Sequence, residues 1–125
     1  MTQPLARVHD SVPLVDLGPL EQLVSSEPMK LREILDELIK SNRKDCQRMS
    51  ALLQDGEIDK LVELAHRIKG AARVVKGEQL VLCCRHLEAA CLDPQVSAEQ
   101  LKQLVEQVEA AIGTLEEALT GLEQN

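Results

Sequence analysis

Near the C-terminus seven aliphatic residues, Leu101, Val105, Val108, Ile112, Leu115, Leu119 and Leu122, step alternately by four and three. That spacing lays one apolar stripe along about six turns of helix. A strand cannot use it, because successive side chains of a strand point to opposite faces. Ser97 followed by Gln100 forms a capping box at the start of the stripe, each side chain satisfying the other residue's backbone N–H. A lone stripe of this kind also suits a coiled coil, so the rest of the chain decides the fold.

Three further segments carry helical periodicity. Residues Pro28 to Gln54 place Leu31, Ile34, Leu35, Leu38, Ile39, Cys46, Met49, Leu52 and Leu53 on one face, and Gly56 supplies a residue on which helices often end. Met29 and Met49 both read as core filler. Ile58 to Val75 faces inward with Leu61, Ala65, Ile68, Ala72 and Val75; Gly77 then interrupts the pattern. Leu80, Cys84, Leu87 and Cys91 define the next helix, closed by Asp93-Pro94 because proline disfavours helical geometry in the residue before it. A short helix over Asp16 to Val24, with Leu17, Leu20, Leu23 and Val24 on one face, precedes Ser25-Ser26-Glu27-Pro28, whose hydroxyls are available as caps. Residues 1–14, with Pro4 and Pro13, show no periodicity and read as a linker or tail. The expected fold is all-α: an antiparallel up-down four-helix bundle over residues 15–125, with a short additional N-terminal helix.

Composition narrows the function. The 125 residues include no Phe, Tyr or Trp, which removes every platform for stacking nucleobases or caging quaternary ammonium groups. Fourteen Lys and Arg against 21 Asp and Glu give a net charge of −7, the wrong sign for a nucleic-acid footprint. No stretch approaches 18 apolar residues, and Met1 to Asp10 lacks the apolar run of a signal peptide, so the expected location is cytoplasmic. Cys46, Cys83, Cys84 and Cys91 form no CxxC pair, and the adjacency of Cys83 and Cys84 suits neither a disulfide nor a tetrahedral metal site. They read as reduced thiols, and no metal site is expected.

A helical wheel on the third long-range pattern isolates one polar cluster. With Leu61 at 0° and about 100° per residue, His66 falls near 140°, Lys69 near 80°, Arg73 near 120° and Gly70 near 180°. His66 thus points away from the core, with two cations on its side and no convincing acid on that face. Gly70, one turn on, carries no side chain to shield it, although a mid-helix glycine costs about 1 kcal/mol against alanine. An imidazole there can be a nucleophile toward an anionic group, whose product the cations would favour, or simply a solvated surface histidine. His86 and His9 read as plain surface and tail residues. Val81 and Leu82 lie off the core face, where they either pack on the N-terminal helix or serve as apolar docking contacts.

The string Ala65-His66-Arg67-Ile68-Lys69-Gly70, followed by Leu80-Val81-Leu82-Cys83-Cys84-Arg85-His86-Leu87-Glu88, resembles the histidine phosphotransfer (HPt) domain of multistep phosphorelays. The signature is Ala-His-x-(Leu/Ile)-Lys-Gly, then Leu-x-x-x-Cys-x-x-Leu-Glu, and the chain is most similar to HPt domains at the C-termini of Bvg/Evg-type hybrid sensor histidine kinases. The resemblance implies a bacterial two-component phosphoprotein in which His66 accepts a phosphoryl group from a receiver-domain aspartate and passes it to another response-regulator receiver. Lys69 would favour the phosphorylated state and Gly70 would admit the receiver. Such a domain is a carrier with no ATP site and no bound cofactor; magnesium resides in the partner receiver. Arg73, Val81 and Leu82 are candidate docking residues. The implied domain is monomeric, binds no nucleic acid and does not insert in the membrane, although a parent sensor kinase would tether it there. One departure stands out: where the family often has a small residue ten positions after the histidine, this chain has Lys76, with Gly77 one later. The competing reading is a non-phosphorylated helical interaction module that binds receiver-like partners.

Overall fold

A computed structural model describes residues 15–25 and 27–124, with side chains to Gly121. The expected tail over residues 1–14, His9, Ser26 and the side chain of Leu122 lie outside the described residues. Among the described residues five helices follow one another: α1 (Gly18–Leu23), α2 (Pro28–Gln54), α3 (Ile58–Val74), α4 (Glu78–Cys91) and α5 (Ala98–Gln124). Among the described residues there is no strand. Helix α3 packs on α4, α4 on α5, α5 on α2 and α2 on α3, which closes the four long helices into a ring around one core. The connections are short, so neighbours run antiparallel, and the expected bundle is the one observed.

The core is aliphatic. Leu61, Ala65, Ile68, Ala72 and Val75 of the third pattern are wholly buried, as are Val108 and Leu119 of the C-terminal stripe. Each large aliphatic side chain buried in this way stabilises the fold by roughly 1.5–3 kcal/mol relative to exposure. The capping box forms as expected: Ser97 N–H donates to Gln100 Oε1 at 2.9 Å, and Gln100 N–H to Ser97 Oγ at 3.1 Å. Gly56 takes the left-handed conformation, φ 72°, that ends α2.

Several expectations are corrected. Met29 is 79% exposed because it stands about 160° from Leu31 on the α2 wheel, away from the buried face, and Leu23, the last residue of the short α1, is 78% exposed. The N-cap of α2 is Glu27, which makes no side-chain cap bond, with Pro28 in the first turn. Two polar residues occupy the inward face of α2 where the apolar pattern skips: Asn42 and Asp45 are both buried.

The α3–α4 turn accounts for the departure at Lys76. Lys76 itself adopts a left-handed φ of 53°, while Gly77 has an ordinary φ and serves as the N-cap of α4. Gly77 is buried, and a Cβ there would stand 3.4 Å from Leu115 Cδ1, a close but ordinary contact. Helix α1 is fastened to this turn by Asp16 N–H donating to Val75 O at 2.8 Å and by the Asp16–Lys76 ion pair at 4.0 Å.

Candidate functional site

The buried stripe of α3 fixes the rotation of that helix about its axis, and His66 and Gly70 therefore project outward. The His66 side chain is 71% exposed. Nothing lies within 4 Å of where a Cβ on Gly70 would stand, so no internal contact requires glycine at that position. Opposite, Leu80, Cys84 and Leu87 are buried and fix the rotation of α4. Glu88, the residue after Leu87, is thereby set on the seam between α3 and α4.

Glu88 joins two residues of α3. Its Oε2 stands 3.2 Å from His66 Nδ1, and its Oε1 stands 2.6 Å from Lys69 Nζ. Facing a carboxylate, Nδ1 is the donor, which in a neutral ring leaves the Nε2 lone pair turned to solvent. Lys69 and Glu88 are only 12% and 17% exposed. Burial on its own raises the Glu88 carboxyl, but the hydrogen bonds and charges of Lys69 and His66 outweigh it and bring the group below its ordinary value. The wheel of α3 alone predicts no acid beside His66, and the structure corrects this, because the acid arrives from the next helix. The available signal was symmetry: in an antiparallel hairpin turning at Gly77, His66 and Glu88 each lie eleven residues from the turn.

The remaining predicted residues divide. Arg73, Val81 and Leu82 do come together, lining an open groove of about 590 Å³ with Lys76 and Arg85 along the α3–α4 seam. Val81 is half-buried and packs against the core, whereas Leu82 is 49% exposed. His86 is exposed, as expected. Cys84 is buried and Cys91 half-buried. The Cys84 thiol is pushed up to about 12, chiefly by burial, with Cys83 and Glu88 adding to the shift and Lys69 opposing it. Burial likewise raises Cys46, Cys83 and Cys91. Among the described residues no three His, Cys, Asp or Glu side chains gather as a metal-binding group, and no helix is long and apolar enough to cross a membrane.

Comparison with known proteins bears on the family and the fold. The chain is 28% identical over 112 residues to the virulence sensor protein BvgS of Bordetella bronchiseptica and of Bordetella parapertussis, and 29% identical over 97 residues to that of Bordetella pertussis. The matches with the first two take in 89% of this chain but only 9% of each relative's length. A rice protein assigned as a histidine-containing phosphotransfer protein superposes with a TM-score of 0.79 at 18% identity, over 98% of this chain and 88% of that one, and shares the fold. The Hpt domain profile matches residues 33–125, spanning every long helix of the bundle and the whole His66–Glu88 hairpin. The chain belongs to the Hpt domain family, and its role is phosphotransfer in two-component signalling.

Proposed function

We propose that this domain is the intermediate of a multistep phosphorelay, taking a phosphoryl group onto His66 from a receiver-domain aspartate and delivering it to a second receiver. The observation that carries the reading is the exposed imidazole whose Nδ1 is engaged by Glu88. That contact selects the tautomer in which Nε2 is the free nucleophile. Attack by Nε2 on the phosphorus of an aspartyl phosphate forms the N–P bond and breaks the P–O bond, and the aspartate departs as carboxylate. The ring retains its Nδ1 proton, and the positive charge it gains faces the Glu88 carboxylate at hydrogen-bonding distance.

Lys69 is the positioning cation. It holds Glu88 from the other oxygen and lies one turn from His66, where it opposes the negative charge the transferred group brings. Two unit charges about 5 Å apart in water interact by on the order of 1 kcal/mol, a modest bias that suits a carrier required to release its cargo. Gly70 leaves the approach open. Magnesium and the acceptor aspartate belong to the receiver, and this chain contributes no nucleotide site. In a hybrid sensor kinase resembling the Bordetella relatives, the domain would work at the cytoplasmic end of the pathway.

The test mixes the protein with a phosphorylated receiver domain. Acid-labile, base-stable label on the protein, absent from His66→Gln, is the expected result. Label that persists in His66→Gln would refute the site; failure of every receiver of the same genome to label the wild type would refute the function.

A further inference from the structure

The surface on the other side of His66 is unexpectedly cationic. Arg67, the residue after His66, turns toward α2 and bonds through Nη2 to Oδ1 of Asp45, a buried carboxylate. This pair floors an open groove of about 620 Å³ between α2 and α3, rimmed by Ser41, Lys44, Gln47 and Arg48. Arg48 and Arg67 also line an adjoining groove of about 310 Å³ that reaches Lys60 and Glu63. The two depressions form one trough along α3, on the side away from Glu88 and Lys69.

Pairing makes the trough informative. Acids outnumber bases by 21 to 14, and most described cations have a carboxylate within 4 Å: Lys40 pairs with Glu37, Arg43 with Glu116, Lys60 with Glu57 and Lys76 with Asp16. Lys44 and Arg48 form no such pair among the described residues, and they stand one turn apart on the same rim. Arg67 has an acid partner in the floor, Asp45, and is otherwise exposed, so its guanidinium is held in place before any ligand arrives. Holding it there reduces the entropy lost when a second anion binds. Helix α5, by contrast, carries Glu99, Glu106, Glu109, Glu116, Glu117 and Glu123 against a single Lys102. A chain of net charge −7 repels an acidic partner at long range, and a local cationic trough beside His66 reverses that repulsion where the two must meet.

We propose that the α2–α3 trough is an ionic docking site for an acidic face of the receiver that exchanges its phosphoryl group with His66; the inference rests on the function proposed above. Lys44 and Arg48 determine which receivers reach the site, and they take no part in the transfer itself. The trough and the Arg73–Arg85 groove then grip a partner from both sides of the reactive histidine.

The experiment uses the receiver that labels the wild-type protein fastest, and measures transfer at low and saturating receiver concentration. In the double variant Lys44→Glu with Arg48→Glu, the second-order rate falls about tenfold at moderate salt, as expected for lost electrostatic steering. The deficit closes as salt rises from about 0.1 M to about 1 M and the screening length shrinks from ~10 Å to ~3 Å. The rate at saturation stays at the wild-type value, and helical circular dichroism is unchanged. Lys102→Glu, placed diagonally across the bundle, changes the net charge as one of these substitutions does and leaves transfer unaltered. An unchanged second-order rate in the double variant overturns the proposal, as does an equal loss in Lys102→Glu or a loss confined to the saturated rate. Absence of any labelling of the wild type would defeat the functional reading, and the docking site with it; a labelled wild type with an insensitive double variant defeats the docking site alone.

Discussion

Gly70 offers a perturbation in which stability and function move in opposite directions. A Cβ added at Gly70 meets no atom within 4 Å, and the same is true of Gly113 in α5. Both positions are exposed and helical. Alanine in place of glycine within an exposed helix stabilises by about 1 kcal/mol. For a domain of this size that is a rise in melting temperature of about 4 °C. Gly70→Ala and Gly113→Ala are therefore expected to raise the thermal midpoint, followed by circular dichroism, to the same extent. Their effects on phosphotransfer differ. Gly70 lies one turn beyond His66, so the new side chain stands about 5–6 Å from the imidazole's own Cβ, on the path of an approaching receiver. Displacing the reacting atoms by about 1 Å costs on the order of a hundredfold in rate. Gly70→Gln, whose side chain reaches past the alanine methyl, is expected to lose that much, Gly70→Ala less, and Gly113→Ala nothing. Wild-type transfer in Gly70→Gln would refute the access argument. A lower melting temperature in Gly70→Ala would refute the claim that glycine is unnecessary for the fold there.

Replacing Glu88 with Gln leaves the Lys69 ammonium nearly buried without its carboxylate, and a loss of about 1–3 kcal/mol is expected from urea unfolding at neutral pH. Because the folded Glu88 carboxyl lies below its ordinary value, its contribution is present above the unfolded carboxylate range and lost as pH falls through the folded value. The acid limb of the wild-type stability curve should accordingly be steeper than that of Glu88→Gln. Lys76→Gly removes a left-handed lysine, φ 53°, from the hairpin turn and is expected to stabilise by up to about 1 kcal/mol, whereas Lys76→Val should destabilise by a similar amount; denaturant midpoints decide. With its thiol pushed up to about 12, Cys84 should remain unalkylated in the native protein at mildly alkaline pH while Cys83 and Cys91 react first, as read by peptide mass spectrometry.

The sequence was most legible where one helix decides the outcome alone. The α5 stripe and the α3 core follow from periodicity, since a residue's angular position on one helix determines whether it meets the bundle axis. Asn42 and Asp45 escaped because a hydrophobic pattern passes over polar residues, yet their register on α2 points inward as surely as that of Ile39 and Met49. Met29 stands about 160° from Leu31 on the α2 wheel, off the periodic face, so its exposure was legible from angle and the reading as core filler overlooked it. Glu88 could be recognised as part of the motif, but its contact with His66 depends on how two helices are set against each other, and no single wheel contains that information. The trough beside Arg67 needed the structure for the same reason.

The hairpin that carries the site also has a register. Glu88 grips His66 and Lys69 at once, and its two oxygens reach residues a full turn apart on α3. A slide of α4 along α3 by one residue's rise, about 1.5 Å, would stretch one contact as it crowded the other. The site therefore works as a vernier on the packing beneath it: a substitution that merely shifts the hairpin, while leaving the bundle folded, would be registered first at the imidazole.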